Sequence, residues 1–123
     1  MKLDVLPYDL TMCVVEKIED IKTDGTFTYV GHALEGHEVL CVTSETPQNT
    51  IIRADGWKGI TIHGESDDSR TSLAEEISQA LTEAEVANLT MRMYEFRLLL
   101  VGAENLEKTI RTISSMGYAI TVQ

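Results

Sequence analysis

The sequence predicts an α+β fold whose antiparallel sheets carry their helices on one face. Three observations lead there. Residues 57–123 alternate strand-type and helix-type patterning in the order β-α-β-β-α-β. Residues 1–60 give several strand-like runs and no long helix. A chain of 123 residues that is 43% hydrophobic can bury a genuine core, in one domain or two small subdomains.

The elements follow in order. "TMCVVE" (11–16) reads as a strand, and "KIEDIKTDG" (17–25) as a polar connection ending in the turn signal Asp24–Gly25. "TFTYVG" (26–31) and "EVLCVT" (38–43) are rich in β-formers. The short "HALEGH" between them, with Gly36, makes them a hairpin. Residues 44–55 read as loop with at most one helical turn, and a strand follows over Trp57–His63. Leu73, Ile77, Ala80, Leu81 and Ala84 form one face of a helix. Ser72 and Glu75 have capping-box spacing, which starts that helix at Ser72.

"NLTMRMY" (88–94) alternates, with Leu89, Met91 and Met93 on one face, where core packing is the plainer reading of the methionines. "RLLLV" (97–101) reads as a buried strand, joined to the previous one by a tight turn around Glu95–Phe96. A helix over 103–116 turns Leu106, Ile110 and Ile113 inward and ends at Gly117, the natural left-handed residue. "YAITV" (118–122) is the last strand. The second half is thus a ferredoxin-like βαββαβ unit. The first half is a reduced, strand-rich version of it, with the boundary placed between 1–60 and 61–123.

Ten basic against twenty acidic residues give a net charge of −10. Phosphate backbones need basic patches, so nucleic acid is not the expected partner. Apolar runs such as Leu98–Val101 are far too short to span a bilayer, and residues 1–10 lack the apolar stretch of a signal peptide. A cytoplasmic protein is expected. Cys13 and Cys41 sit in apolar strands outside any C-x-x-C pattern and read as reduced core thiols. His32 and His37 flank the first hairpin turn near Glu35 and Glu38. That is an outline of a metal site, but exposed solvent groups explain it more simply, and no metal is expected. His63, at a strand end, has no sequence-evident partner. No nucleophile elbow, phosphate loop or dinucleotide fingerprint is present, so neither catalysis nor a cofactor is expected. Trp57, after Gly56, reads as a large packing anchor.

Three stretches carry a family resemblance: "FTYVGHALEGHEVLCV" (27–42), "GWKGITIHG" (56–64) and "LLLVGAENLEKTIRTISSMGY" (98–118). In their order and spacing the chain resembles small tandem ACT-domain proteins related to cytosolic arginine sensors. The resemblance implies a regulatory module that binds an amino acid or similar metabolite, without catalysis of its own. The ligand would lie between the units or between the chains of a homodimer.

In such proteins the loop before the first helix resembles D-F-S-L-T-G-I. Asp67, Ser69 and Thr71 match it, while Asp68, Arg70 and Ser72 depart and Leu73 replaces isoleucine. The hairpin resembles Y-D-T-D-Y-I-L-V and here begins Tyr94, Glu95, Phe96, Arg97, which reverses the charge of an acidic position. The implied ligand-binding residues are Asp67, Ser69, Thr71, Ser72, Leu73, Tyr94, Glu95, Phe96, Arg97 and Glu38. Two chemistries compete for this loop. Backbone N–H groups at the start of the Ser72 helix would take a ligand carboxylate, or the same groups would simply be capped by serine. Arg97 leaves the ammonium of an amino acid without its usual acceptor, for which Glu95 or Asp67 would have to substitute. The alternative is an interaction module that kept the fold and lost the pocket.

Overall fold

The computed structural model describes residues 2–22 and 24–122; Thr23, within the expected polar connection, and the two end residues lie outside the described residues. The chain divides into two compact units. One comprises Tyr8–Trp57 and the other residues 2–7 together with 58–122.

The Tyr8–Trp57 unit is built from β2 (Leu10–Val15), β3 (Thr28–Ala33), β4 (Gly36–Val42) and the first part of β5 (Thr50–His63). β1 lies in the other unit. The strands run in the order β3-β4-β2-β5, every ladder antiparallel. The β2–β3 and β4–β5 connections contain the three-residue 3-10 turns Ile18–Asp20 and Thr43–Glu45. Cys13, Val15, Val39 and Cys41 share one sheet face, and Ile21, just after the first 3-10 turn, closes over them. Both thiols are buried and free.

The expected hairpin is present but tighter. The ladder continues to Ala33 opposite Gly36, leaving only Leu34 and Glu35 in the turn. An added Cβ on Gly36 would lie 2.1 Å from the carbonyl oxygen of Val15, so a side chain there would collide with the backbone of β2. β5 begins seven residues earlier than expected. Thr50, Ile51 and Ile52 are strand formers; Thr50 pairs with Val15 and Ile52 with Val14 across a register shift that loop-like composition obscures.

The larger unit holds β1 (Lys2–Val5), the end of β5, α1 (Asp67–Glu83), β6 (Asn88–Arg92), β7 (Arg97–Gly102), α2 (Leu106–Ser115) and β8 (Thr121–Val122). Its strand order is β6-β7-β5-β1-β8. β1 runs antiparallel to β5, with Lys2 opposite His63, and parallel to β8, with Val5 opposite Val122. The simple six-element plan has no such strand between its first and last. The boundary expected at 60/61 also put Lys2–Val5 in the first subdomain, whereas their ladder is with Ile60–His63. The sequence hides β1 because its alternation lasts only four residues.

Both helices pack on one core. Leu73, Ile77 and Leu81 of α1 and Ile113 of α2 meet Ile60 and Ile62 of β5, Leu99 and Val101 of β7, and Leu3 and Val5 of β1. α2 is preceded by a 3-10 turn at Ala103–Asn105 and ends at Gly117, whose φ of +94° fits the expected glycine stop. The Leu89–Met91 face of β6 is not core: Leu89 is exposed and Met91 only half-buried. No helix among the described residues is long and apolar enough to cross a membrane.

Candidate functional site

α1 does not start at Ser72. Its N-cap is Ser66, whose hydroxyl accepts a hydrogen bond from the Ser69 N–H, while the Ser66 N–H donates to the Ser69 hydroxyl, both at 3.1 Å. This reciprocal box, with Asp67 and Asp68 adding negative charge in the first turn, outcompetes the Ser72/Glu75 spacing. Ser72 is therefore an exposed residue inside the helix, its N–H part of the helical ladder, and Leu73 is core.

The opening turn of α1 faces an arginine. Arg97, at the start of β7, is 6% exposed. Its Nη2 donates to Asp67 Oδ1 at 2.8 Å and to the Thr71 hydroxyl at 2.6 Å. Arg92 stands directly opposite Arg97 across the β6–β7 ladder and donates to Asp67 Oδ2 at 3.0 Å. Arg70 approaches Asp67 Oδ1 at 3.6 Å and donates from Nη1 to the Gly64 carbonyl at 3.0 Å. Like charges directly opposite on a ladder destabilise it, and here one carboxylate joins them. The hydrogen bond from Arg97, with the three guanidinium charges, holds the Asp67 carboxyl below its ordinary range against a smaller opposing effect of burial.

The expected residues thus separate. Asp67, Thr71 and Arg97 come together. Ser69 belongs to the helix cap. Tyr94 and Glu95 are exposed at the tip of the β6–β7 hairpin, whose turn is closed by Met93 N–H donating to the Phe96 carbonyl at 2.9 Å. Phe96 lies against the His63 ring, centroids 5.6 Å apart. His63 in turn approaches Asp4 at 3.9 Å and contacts the Thr61 hydroxyl at 3.1 Å, partners that its sequence position did not suggest. Glu38 lies in the Tyr8–Trp57 unit on β4, opposite Val14 and Gly31. Sequence reasoning overlooked Ser66, Arg92 and the role of Arg70. The S-x-x-S spacing at 66–69 and the hairpin register were the available signals.

Four surface hollows of about 250–550 Å³ are lined by other residues. Only the smallest, between Lys2, His63, Gly64 and Glu65, borders the start of α1. His32 and His37 face each other across the β3–β4 ladder, yet no group of three metal-ligating side chains occurs among the described residues.

With this geometry in view, likeness to solved proteins adds information about the fold. No family model matches the chain, and no curated relative does. A structure of a protein from Agobacterium tumefaciens is similar with a TM-score of 0.83 at 18% identity, covering 99% of this chain and 92% of that one. The ligand-free regulatory subunit of aspartate kinase from Thermus thermophilus is similar with a TM-score of 0.56 at 12% identity, covering 90% of this chain and 95% of that one. Aspartate kinase from Clostridium acetobutylicum, described as an allosteric enzyme, gives 0.66 at 8% identity. There this chain covers 92% of itself but only 34% of the enzyme. The fold is a mixed α+β arrangement similar to that of the aspartate kinase regulatory subunit.

Proposed function

We propose that this chain is a non-catalytic regulatory protein of the ACT type that senses a small amino-acid-like metabolite. The likeness in fold to a kinase's regulatory subunit carries this reading. The cluster of Asp67, Thr71 and Arg97 at the opening of α1 supports a site there. In this reading the Tyr8–Trp57 unit is a reduced ACT-like unit and the larger unit the full one. The protein works in the cytoplasm, as a homodimer or in a complex with the enzyme it regulates. The ligand would favour one conformation over another and pass that preference on. The resemblance to arginine sensors does not extend to the ligand in this proposal, because a fourth guanidinium would meet Arg70, Arg92 and Arg97.

A thermal-shift screen against the twenty amino acids tests the reading. A ligand at one hundred times its dissociation constant stabilises the fold by about 2.7 kcal/mol, a visible rise in midpoint. A selective hit supports a sensor. A flat screen with a cooperative melt favours the second reading, an interaction module. Two observations favour that alternative: Asp67 and Arg97 already satisfy each other, and Tyr94 is 94% exposed at the hairpin tip.

A further inference from the structure

Arg97 carries more donors than the protein uses. A guanidinium has five N–H groups in a fixed fork. Both hydrogen bonds that Arg97 makes to Asp67 and Thr71 come from Nη2, while its buried Nη1 has no partner among the described residues. The side chain is 8% exposed. Arg70, with its side chain 14% exposed, likewise leaves a buried Nε unpartnered. Buried donors without acceptors are costly, most of all on a charged group. The described ion pairs of Arg70, Arg92 and Arg97 all converge on Asp67. Three guanidinium charges therefore share one carboxylate, in a chain whose overall charge is −10. The opening turn of α1 adds its own preference for negative charge. Asp67 is not free to accept from a ligand ammonium in the unliganded protein, because both its oxygens are engaged by arginine.

We propose that the ligand of this site is a small carboxylic acid, an acidic amino acid or short dicarboxylate, whose carboxylate exchanges with Asp67 on the Arg97 guanidinium. This rests on the regulatory reading above and names the class of its ligand. Asp67 is suited to be the displaced group: its side chain is 44% exposed, and Arg92, itself 73% exposed, can keep hold of it. Arg97, buried and fixed, stays and gains an acceptor for Nη1. In the unliganded protein Asp67 thus acts as an internal competitor.

The exchange makes an uncommon demand on mutagenesis. Asp67→Asn removes the competitor and should tighten binding, whereas a structural or direct ammonium-binding role for Asp67 would weaken it. The experiment is isothermal titration of the full chain with L-aspartate, L-glutamate and succinate, against L-asparagine, L-glutamine, L-arginine and inorganic phosphate. At least one acid should bind about tenfold or more tightly than its amide, as expected for a charge-assisted pair. Asp67→Asn should raise that affinity several-fold, Arg97→Lys should lower it about tenfold, and the exposed Arg92→Gln should change it by less.

Arg92→Gln and Asp67→Asn keep the test open if Arg97→Lys fails to fold. Equal binding of acids and amides, or weaker binding by Asp67→Asn, overturns the proposal. Selection of a neutral or basic amino acid overturns it while leaving the sensor reading standing. Binding of succinate and phosphate without any amino acid keeps the anion site and removes the amino-acid reading. Silence from every probe overturns the proposal and leaves the sensor reading to the screen of all twenty amino acids.

Discussion

The two units of this chain lay their strands in a related order by different means. In Tyr8–Trp57 a hairpin (β3-β4) flanks the first strand (β2), and the last strand (β5) lies on its other side. In the larger unit a hairpin (β6-β7) flanks β5, and β1 and β8 follow on the other side. The connections differ. Where the larger unit crosses over with helices of 17 and 10 residues, the smaller crosses with 3-10 turns of three. The cores differ accordingly: twelve buried residues in one cluster against five in the other. The strand order is related with or without helices, while the apolar cover differs. The sheet face lined by Cys13, Val39 and Cys41 clusters with Ile21, whereas the one lined by Ile60, Ile62, Leu99 and Val101 packs against two helices.

The largest test of this contrast is in the cores. Ile77→Ala, at a position with no exposure and contacts to sheet and helix, should cost about 2–5 kcal/mol in urea denaturation. Ile21→Ala, which starts 8% exposed in the smaller cluster, should cost less. Equal losses would erase the distinction between a helix-covered and a turn-covered core. Next is Gly36→Ala. Its Cβ would meet the Val15 carbonyl, and forcing the β3–β4 hairpin off β2 should cost about 1–3 kcal/mol. Gly56→Ala meets nothing within 4 Å and bears only the strain of φ +86°, about 1–2 kcal/mol.

A smaller effect tests where α1 begins. Ser66→Ala removes the cap and should cost about 1 kcal/mol, while Ser72→Ala should stay within about 0.5 kcal/mol. The reverse ranking would restore Ser72 as the helix start. The smallest expected effect is in pH. Asp67 has its folded pKa depressed below an unfolded value of about 3.9, so its contribution is present above that value and is lost as the pH falls through the depressed one. Asp67→Asn should therefore flatten the acid limb of the stability profile below about pH 4. An unchanged limb would mean that the three arginines do not act on this carboxylate in solution.

Much of the larger unit was legible because its periods are unambiguous. Leu73, Ile77 and Leu81 repeat at helical spacing, and five buried residues run together in β7. What sequence hid was pairing. In β1, Lys2 and Asp4 do alternate with Leu3 and Val5, but over four residues the alternation is too short to stand out, and the ladder with His63–Ile60 makes it a strand. The first half of β5 hides behind exposed Ile51 and Ile52 and two register shifts. At the candidate site, resemblance brought Asp67, Thr71 and Arg97 into consideration. The reason they matter, two arginines opposed across a hairpin and joined by one carboxylate, is a register effect that no linear motif contains. Ser72 misled because a capping signature is only a spacing, and the chain carries two of them six residues apart.

β1 also sets a timetable for synthesis. Lys2–Val5 emerge from the ribosome before Tyr8–Trp57, but their partners, residues 60–63 and then 121–122, emerge after it. Every strand of the smaller unit is by then available to pair, while β1 must wait for a loop of more than fifty residues to close and then for β8 at the far end of the chain. The order of translation and the order of assembly are thus reversed for this one strand. A nascent chain halted before Thr121 would hold β1 on β5 alone, with its β8-facing edge still open.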